Sequence, residues 1–232
     1  MIHQAGRVSG PVVLWDFEGT LAERPGRWST CLLQCLAEVA GGEPTVGLDD
    51  IRPFLRYGYP WHRHDQGHEH LADPDAWWAE LEVLFVAALR GAGVPPSQAG
   101  PAAGLMRHRF AEVDRWVVFS EARPALQAMA AAGWRNAIAS NHVPELERLV
   151  LELGLSEHVD TVFTSAGVGW EKPNPEFFRR VVRAMGRPDR VWMVGDNPVA
   201  DVRGAEAVGI PAVLVHTPPG VGLRQAVATI LA

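Results

Sequence analysis

The sequence predicts the α/β class: a parallel sheet with helices on both faces, interrupted early by an all-helical segment. Three observations carry this. Short apolar runs that end on a polar residue or a turn recur at residues 11–16 (PVVLWD), 136–140 (NAIAS), 161–164, 191–194 (VWMV) and 212–215. Runs of that length and composition read as buried strands. From Trp116 onward they alternate with helical patterns, as βαβ units do. Between Leu21 and Trp116 no comparable run occurs, and helical periodicity fills the stretch.

The elements follow in order. The first strand ends at Asp16 and turns at Gly19-Thr20. Residues 28–40 read as a helix closed by Gly41-Gly42, and 48–56 as a shorter one. The strongest helix is 75–90, with Asp73 as N-cap, Pro74 in the first turn and Gly91 as stop. A fourth covers 98–113, although Gly100, Pro101 and Gly104 weaken it. Helices at 124–132, 144–153, 175–185, 199–208 and 223–231 then separate or follow the later strands. The chain thus divides into a doubly wound, Rossmann-like core built from residues 1–21 and 117–232, and a helical segment, 22–116, inserted after the first strand.

Composition excludes several classes. Hydrophobic residues make up 47% and charged residues 21% of 232, which fits a globular protein and not a disordered one. A net charge of −6 offers no basic face to a phosphodiester backbone, so nucleic acid is not an expected partner. The longest apolar stretches, 83–89 and 208–215, fall short of the ~20 residues that a membrane-spanning helix needs, so no membrane association is expected. Residues 1–10 lack the apolar stretch of a secretory signal. Cys31 and Cys35, four apart on one helix, read as buried reduced thiols, and a cytoplasmic location is the expectation. Nothing in the sequence sets an oligomeric state. Of the 21 basic residues, 20 are arginine and one is lysine, Lys172.

Ligands of open parallel sheets bind beyond the carboxyl ends of the strands. Four polar segments fall there: Asp16-Phe17-Glu18-Gly19-Thr20, Ser140-Asn141, Lys172-Pro173, and Gly195-Asp196-Asn197 followed by Asp201. Several carboxylates around a single lysine repel one another unless a cation joins them. Hard oxygen donors favour Mg²⁺, which takes one or two carboxylates plus substrate phosphate. The residues therefore point to metal-assisted phosphoryl chemistry with an aspartate as nucleophile.

In order and spacing these segments resemble the four motifs of the haloacid dehalogenase-like (HAD) hydrolase superfamily, and the helical insertion is similar to that of its C1-cap subfamily. The resemblance implies a phosphatase acting on a small phosphorylated metabolite. It implies that Asp16 attacks phosphorus and that Glu18 serves as acid and base. Asp16, Asp196 and the backbone carbonyl of Glu18 would hold Mg²⁺. Ser140 and the amide of Asn141 would hold phosphoryl oxygens, with Gly19 and Thr20 beside them. Lys172 would neutralise nucleophile and phosphoryl group, while Asp201 and Asn197 support from behind.

One departure stands out: the family's phosphatases usually carry Asp where this chain has Glu18. The extra methylene moves the carboxyl by roughly 1 Å, and misplacement on that scale can cost about 10²-fold. A non-catalytic phospho-ligand- or partner-binding protein is the alternative that Glu18 raises. Dehalogenation is disfavoured, because the resemblance ties it to chains lacking the motif-four metal aspartate. Phosphonate chemistry would need a cap lysine, and the sole lysine already belongs to the core. In the insertion, His62, His64, His68 and His70 read as an exposed polar loop, with His62 and Arg63 able to reach the crevice. Trp28 and the Trp77-Trp78 pair read as packing residues.

Overall fold

The computed structural model describes residues 10–232. The assignment of residues 1–9 to the core, and the leader reading for residues 1–10 up to Gly10, lie outside them. Among the described residues seven strands form: β1 (Val12–Trp15), β2 (Ala22–Glu23), β3 (Val117–Val118), β4 (Arg135–Ser140), β5 (Thr161–Thr164), β6 (Val191–Gly195) and β7 (Ala212–Leu214). Five of them make one parallel sheet in the order β5-β4-β1-β6-β7. The α/β class expected from the sequence is what the chain adopts.

β1 is central because VVLW is apolar apart from one indole N–H, and all four residues are buried. Alternation along the strand then sends Val13 and Trp15 to one face and Val12 and Leu14 to the other. Val12 and Leu14 meet Phe177, Phe178 and Val181 of the helix Pro175–Ala184. Trp15 brings a polar edge into the core, and the core satisfies it. Its indole N–H donates to Asn136 Oδ1 at 2.9 Å, and the Asn136 amide donates to the carbonyls of Leu126 and His158 at 2.9 and 3.0 Å.

The chain leaves the sheet through β2 and returns through β3, which pair antiparallel with Ala22 opposite Val118. Two-residue strands of this kind carry too little pattern to be read from sequence. Between them lie helices. Arg27–Ala40 buries Cys31, Leu32, Cys35 and Leu36 along one stripe, and both cysteines are free and buried. Pro74–Gly91 starts as expected, with Asp73 Oδ1 accepting from the amides of Asp75 and Ala76 at 3.0 Å each. Trp77 and Trp78 are buried on that helix.

Three expected helices change shape. Residues 48–56 divide into an α-turn, Leu48–Ile51, and a 3₁₀ turn, Arg52–Leu55. Residues 98–113 break just past Gly104 into Pro96–Gly104 and Met106–Phe110. Residues 199–208 form a π-helical turn, Pro198–Arg203, and a short α-turn, Gly204–Glu206; the wider turn is where Asp201 swings in toward the sheet. One apolar cluster joins the helical segment to the sheet. Phe17 packs on Trp116 with ring centroids 5.3 Å apart, and Phe110, Trp77 and Phe85 continue the same cluster.

Candidate active site

The carboxyl ends of β1, β4 and β6 place Asp16, Ser140 and Asp196 together at the mouth of the sheet. A cleft of about 380 Å³ opens there, and its wall includes Asp16, Glu18, Ser140, Asn141, Lys172, Asp196, Asn197 and Asp201. A hollow of about 440 Å³ near Trp192 and Ile210, at the opposite strand ends, lies away from this acid cluster.

Two glycines make the crowding feasible. After β1 the chain turns back on itself, with the Gly19 amide donating to the Ala22 carbonyl at 2.8 Å. Gly19 has φ +94, and a Cβ there would lie 2.4 Å from Asp196 Oδ2. At the end of β6, a Cβ on Gly195 would lie 2.2 Å from the Asp201 carboxylate. Gly19 and Thr20 are thus placed against the site without lining the cleft. Thr20 is buried and presents its carbonyl to His216 Nε2 at 3.2 Å.

Lys172 is the centre of the arrangement. Its side chain is 1% exposed, and Nζ donates to Asp16 Oδ1 at 2.8 Å, Asp201 Oδ1 at 2.5 Å and the Ala139 carbonyl at 2.8 Å. Burial alone would push this ammonium down, but the Asp16 and Asp201 carboxylates together outweigh it and hold it well above the ordinary lysine range. Asn141 grips the lysine's backbone from the sheet side. Its side chain accepts from the Lys172 amide at 2.8 Å and donates to the Lys172 carbonyl at 2.9 Å. Asp201 Oδ2 also accepts from the Asn197 amide at 2.9 Å, and Asn197 Oδ1 caps the following turn through the amides of Val199 and Ala200.

Asp16, Asp196 and Asp201 each bring a carboxylate oxygen within 4.8 Å of the others. Asp201 is spent on Lys172 and the Asn197 amide. Burial, reinforced by the Asp16 charge, pushes Asp196 up to about 6, and no described side chain donates a hydrogen bond to it. Two hard carboxylates with unspent lone pairs suit a divalent cation held by oxygen, so the residues present fit Mg²⁺. Glu18 is pushed up to about 7, by burial first and then by the Asp16 and Asp196 charges, while Arg27 Nε, 3.4 Å from its carboxyl, opposes the rise.

The cleft also takes residues from the helical segment. Arg27, Trp28, Trp61 and His64 line it, whereas His62 faces a neighbouring hollow and Arg63 pairs with Glu80. Of the two residues expected to reach the crevice, neither does, and His64 takes their place. Trp28 does pack as expected, stacked on Phe110 at 3.9 Å, but it also forms part of the cleft wall. The histidine-rich loop is exposed at His62, His64 and His70 and buried at His68. His142 is a further wall residue whose place the sequence leaves open. It is buried among Phe17, Phe110 and Trp116, and burial pushes it down to about 4.

Comparison with known proteins places the chain among relatives. Residues 11–209 match the family of haloacid dehalogenase-like hydrolases. The chain is 34% identical over 220 residues to haloacid dehalogenase-like hydrolase domain-containing protein 3 of Homo sapiens, covering 92% of this chain and 85% of that protein. It is 38% identical over 141 residues to the Mus musculus protein of the same name, covering 60% of this chain and 55% of that one. A phosphoserine phosphatase of Thermus thermophilus is 38% identical over 136 residues, covering 58% and 53%. In two of these three relatives the matched stretch is therefore little more than half of the relative's length. The fold is similar to that of an HAD phosphatase from Thermococcus onnurineus, with a TM-score of 0.63 at 20% identity, covering 96% of this chain and 98% of that one.

Proposed function

The chain belongs to the haloacid dehalogenase-like hydrolases, and from that premise we propose that it is a Mg²⁺-dependent phosphomonoesterase working through an aspartyl-phosphate on Asp16. The observation that carries this reading is the placement of Lys172 Nζ between Asp16 and Asp201, with Asp196 beside them in one cleft. A single buried cation held between two acids is suited to neutralising a carboxylate and a phosphoryl group in the same place.

Asp16 attacks phosphorus, forming the acyl-phosphate bond as the ester oxygen leaves. Glu18, with a carboxyl poised near neutral pH, gives its proton to that oxygen and then takes one from the water that hydrolyses the intermediate. Phosphate departs and the Asp16 carboxylate is restored. Lys172 offsets the charge of Asp16 and of the transferring group, and Ser140 with the Asn141 amide holds phosphoryl oxygens. Asp16 and Asp196, with the Glu18 carbonyl, would hold Mg²⁺, which supplies further charge neutralisation when bound.

The substrate is a small phosphorylated metabolite, a size that a cleft of about 380 Å³ accommodates. Residues 22–116 act as a cap over the core of 1–21 and 117–232, excluding water during reaction. The test is turnover of p-nitrophenyl phosphate and of a panel of sugar and nucleotide phosphates, with Mg²⁺ and with chelator. Activity should depend on the metal and vanish in Asp16→Asn. Turnover that persists in Asp16→Asn would sink the proposed nucleophile, and unchanged turnover of an alkyl phosphate by Glu18→Gln would sink the acid/base role.

A further inference from the structure

The histidine-rich loop of the helical segment is strapped to the loop that carries Lys172. Asn174 Nδ2 donates to the His64 carbonyl at 2.8 Å, and the His68 amide donates to the Gly169 carbonyl at 2.9 Å. Glu69 Oε1 accepts from Arg180 Nη2 at 2.7 Å. Gly169, with φ +77, lets Glu69 close in; a Cβ there would lie 2.8 Å from Glu69 Cγ. The fourth contact is buried. His68 Nε2 lies 3.2 Å from Glu171 Oε1, with the two side chains 8% and 1% exposed.

Glu171 is the telling residue. Neither oxygen of the buried Glu171 carboxylate meets a hydrogen-bond donor, and among the described residues His68 is the only basic group within 4 Å of it, its ring nitrogen close by but not hydrogen-bonded. Withdrawing the strap would take away the one basic side chain beside this buried acid, one residue from Lys172. The strap touches residues 169, 171 and 174, so it flanks Lys172 on both sides in sequence. Asn141 holds the same lysine from the sheet.

We propose that His68 is a positioning residue for Lys172: its pairing with Glu171 sets the loop that aims the ammonium at Asp16, so the lysine is fully in place only when the helical segment is seated. The inference rests on the reading of Lys172 as the neutralising cation. It accounts for a buried histidine in a loop that is otherwise exposed. It also makes seating of the helical segment and assembly of the charged centre one event.

The chain's single lysine makes the test direct. Selective ¹³C,¹⁵N-lysine labelling of the full chain yields one backbone amide and one Cε signal, both from Lys172. His68→Phe should shift or broaden these signals. It should also lower kcat on p-nitrophenyl phosphate by about tenfold or more with KM within about threefold. His68→Gln, which keeps a polar side chain able to approach Glu171, should restore the signals and most of kcat. Glu38→Gln, which removes an ion pair to Arg109 within the helical segment and none of the strap contacts, should leave both unchanged. Asn174→Asp, which keeps the helix cap but loses the donor to His64, should move the lysine signals in the same direction by less, and it serves should His68→Phe fail to fold. Lysine signals unchanged in both His68→Phe and Asn174→Asp would overturn the proposal, whatever happens to activity. A wild-type protein inert on every phosphomonoester would overturn the catalytic reading instead, and the lysine signals would still decide the coupling.

Discussion

The charged groups on the sheet side of the cleft and those on its helical side are held in opposite ways. On the sheet side, Lys172 has three partners, Asn141 clasps that lysine's backbone twice, and Gly19 and Gly195 admit carboxylates too close for any Cβ. On the helical side, Arg27 is 60% exposed and meets Glu18 only at 3.4 Å, and His64 is exposed. The difference teaches where each kind of work is done. Charge placed to stabilise a reacting phosphoryl group must be fixed before reaction. Groups that select a substrate can be looser, since they act by adding or losing contact area at the rim.

Substitutions should separate the two sides, and the largest effect belongs to the sheet side. Asp16→Asn is expected to lower phosphatase turnover by about 10³-fold or more with the melting temperature nearly unchanged, measured on p-nitrophenyl phosphate alongside thermal unfolding. Lys172→Arg comes next. A planar guanidinium cannot reproduce three convergent contacts from one nitrogen, so turnover should fall by at least about tenfold while circular dichroism stays the same. A near-wild-type rate would show that the sheet side is less exacting than its geometry implies.

His142 sharpens the comparison through pH. It is held down to about 4 in the fold against 6.5 for an ordinary histidine, so the folded protein keeps it neutral. Below pH 6.5 the unfolded chain takes up a proton that the fold refuses until about pH 4. Its contribution to stability is therefore full above pH 6.5 and is lost as pH falls toward 4, on the order of 3 kcal/mol in all. His142→Phe, which suits the surrounding aromatic rings, should remove that part of the acid destabilisation in denaturant titrations at pH 7.5 and 5. Unchanged pH dependence would show that another group carries it.

The smallest effect should come from the helical side. Trp61→Ala is expected to raise KM within about tenfold for a favoured substrate and to change kcat little. A large loss of kcat there would erase the distinction between the two sides.

Much of the fold was legible because its signals are local. VVLW ending on Asp16 and the Asp73-Pro74 helix start depend on neighbours a few positions away. Where neighbours conflicted, legibility dropped: 98–113 broke after Gly104, and 199–208 became a π-turn because Asp201 is drawn toward Lys172. The Glu18 carboxyl, buried and raised to about 7, illustrates the same limit, since its environment comes from Asp16, Asp196 and Arg27 together.

The sequence by itself determined the α/β class and the strand ends that carry Asp16, Ser140 and Asp196, because strand period, helix stripe and turn chemistry are short-range properties of the chain. Lys172, expected at a strand end, instead lies in the loop after the helical turn Ser165–Val168. Only the tertiary structure decided that Arg27 and His64, rather than His62 and Arg63, face the cleft, and that His68 is buried against Glu171. Those outcomes rest on contacts between distant positions, such as Asn174 with the His64 carbonyl 110 residues away. Which of several similar side chains turns inward depends on the surface folded against it, and a one-dimensional pattern does not contain that surface.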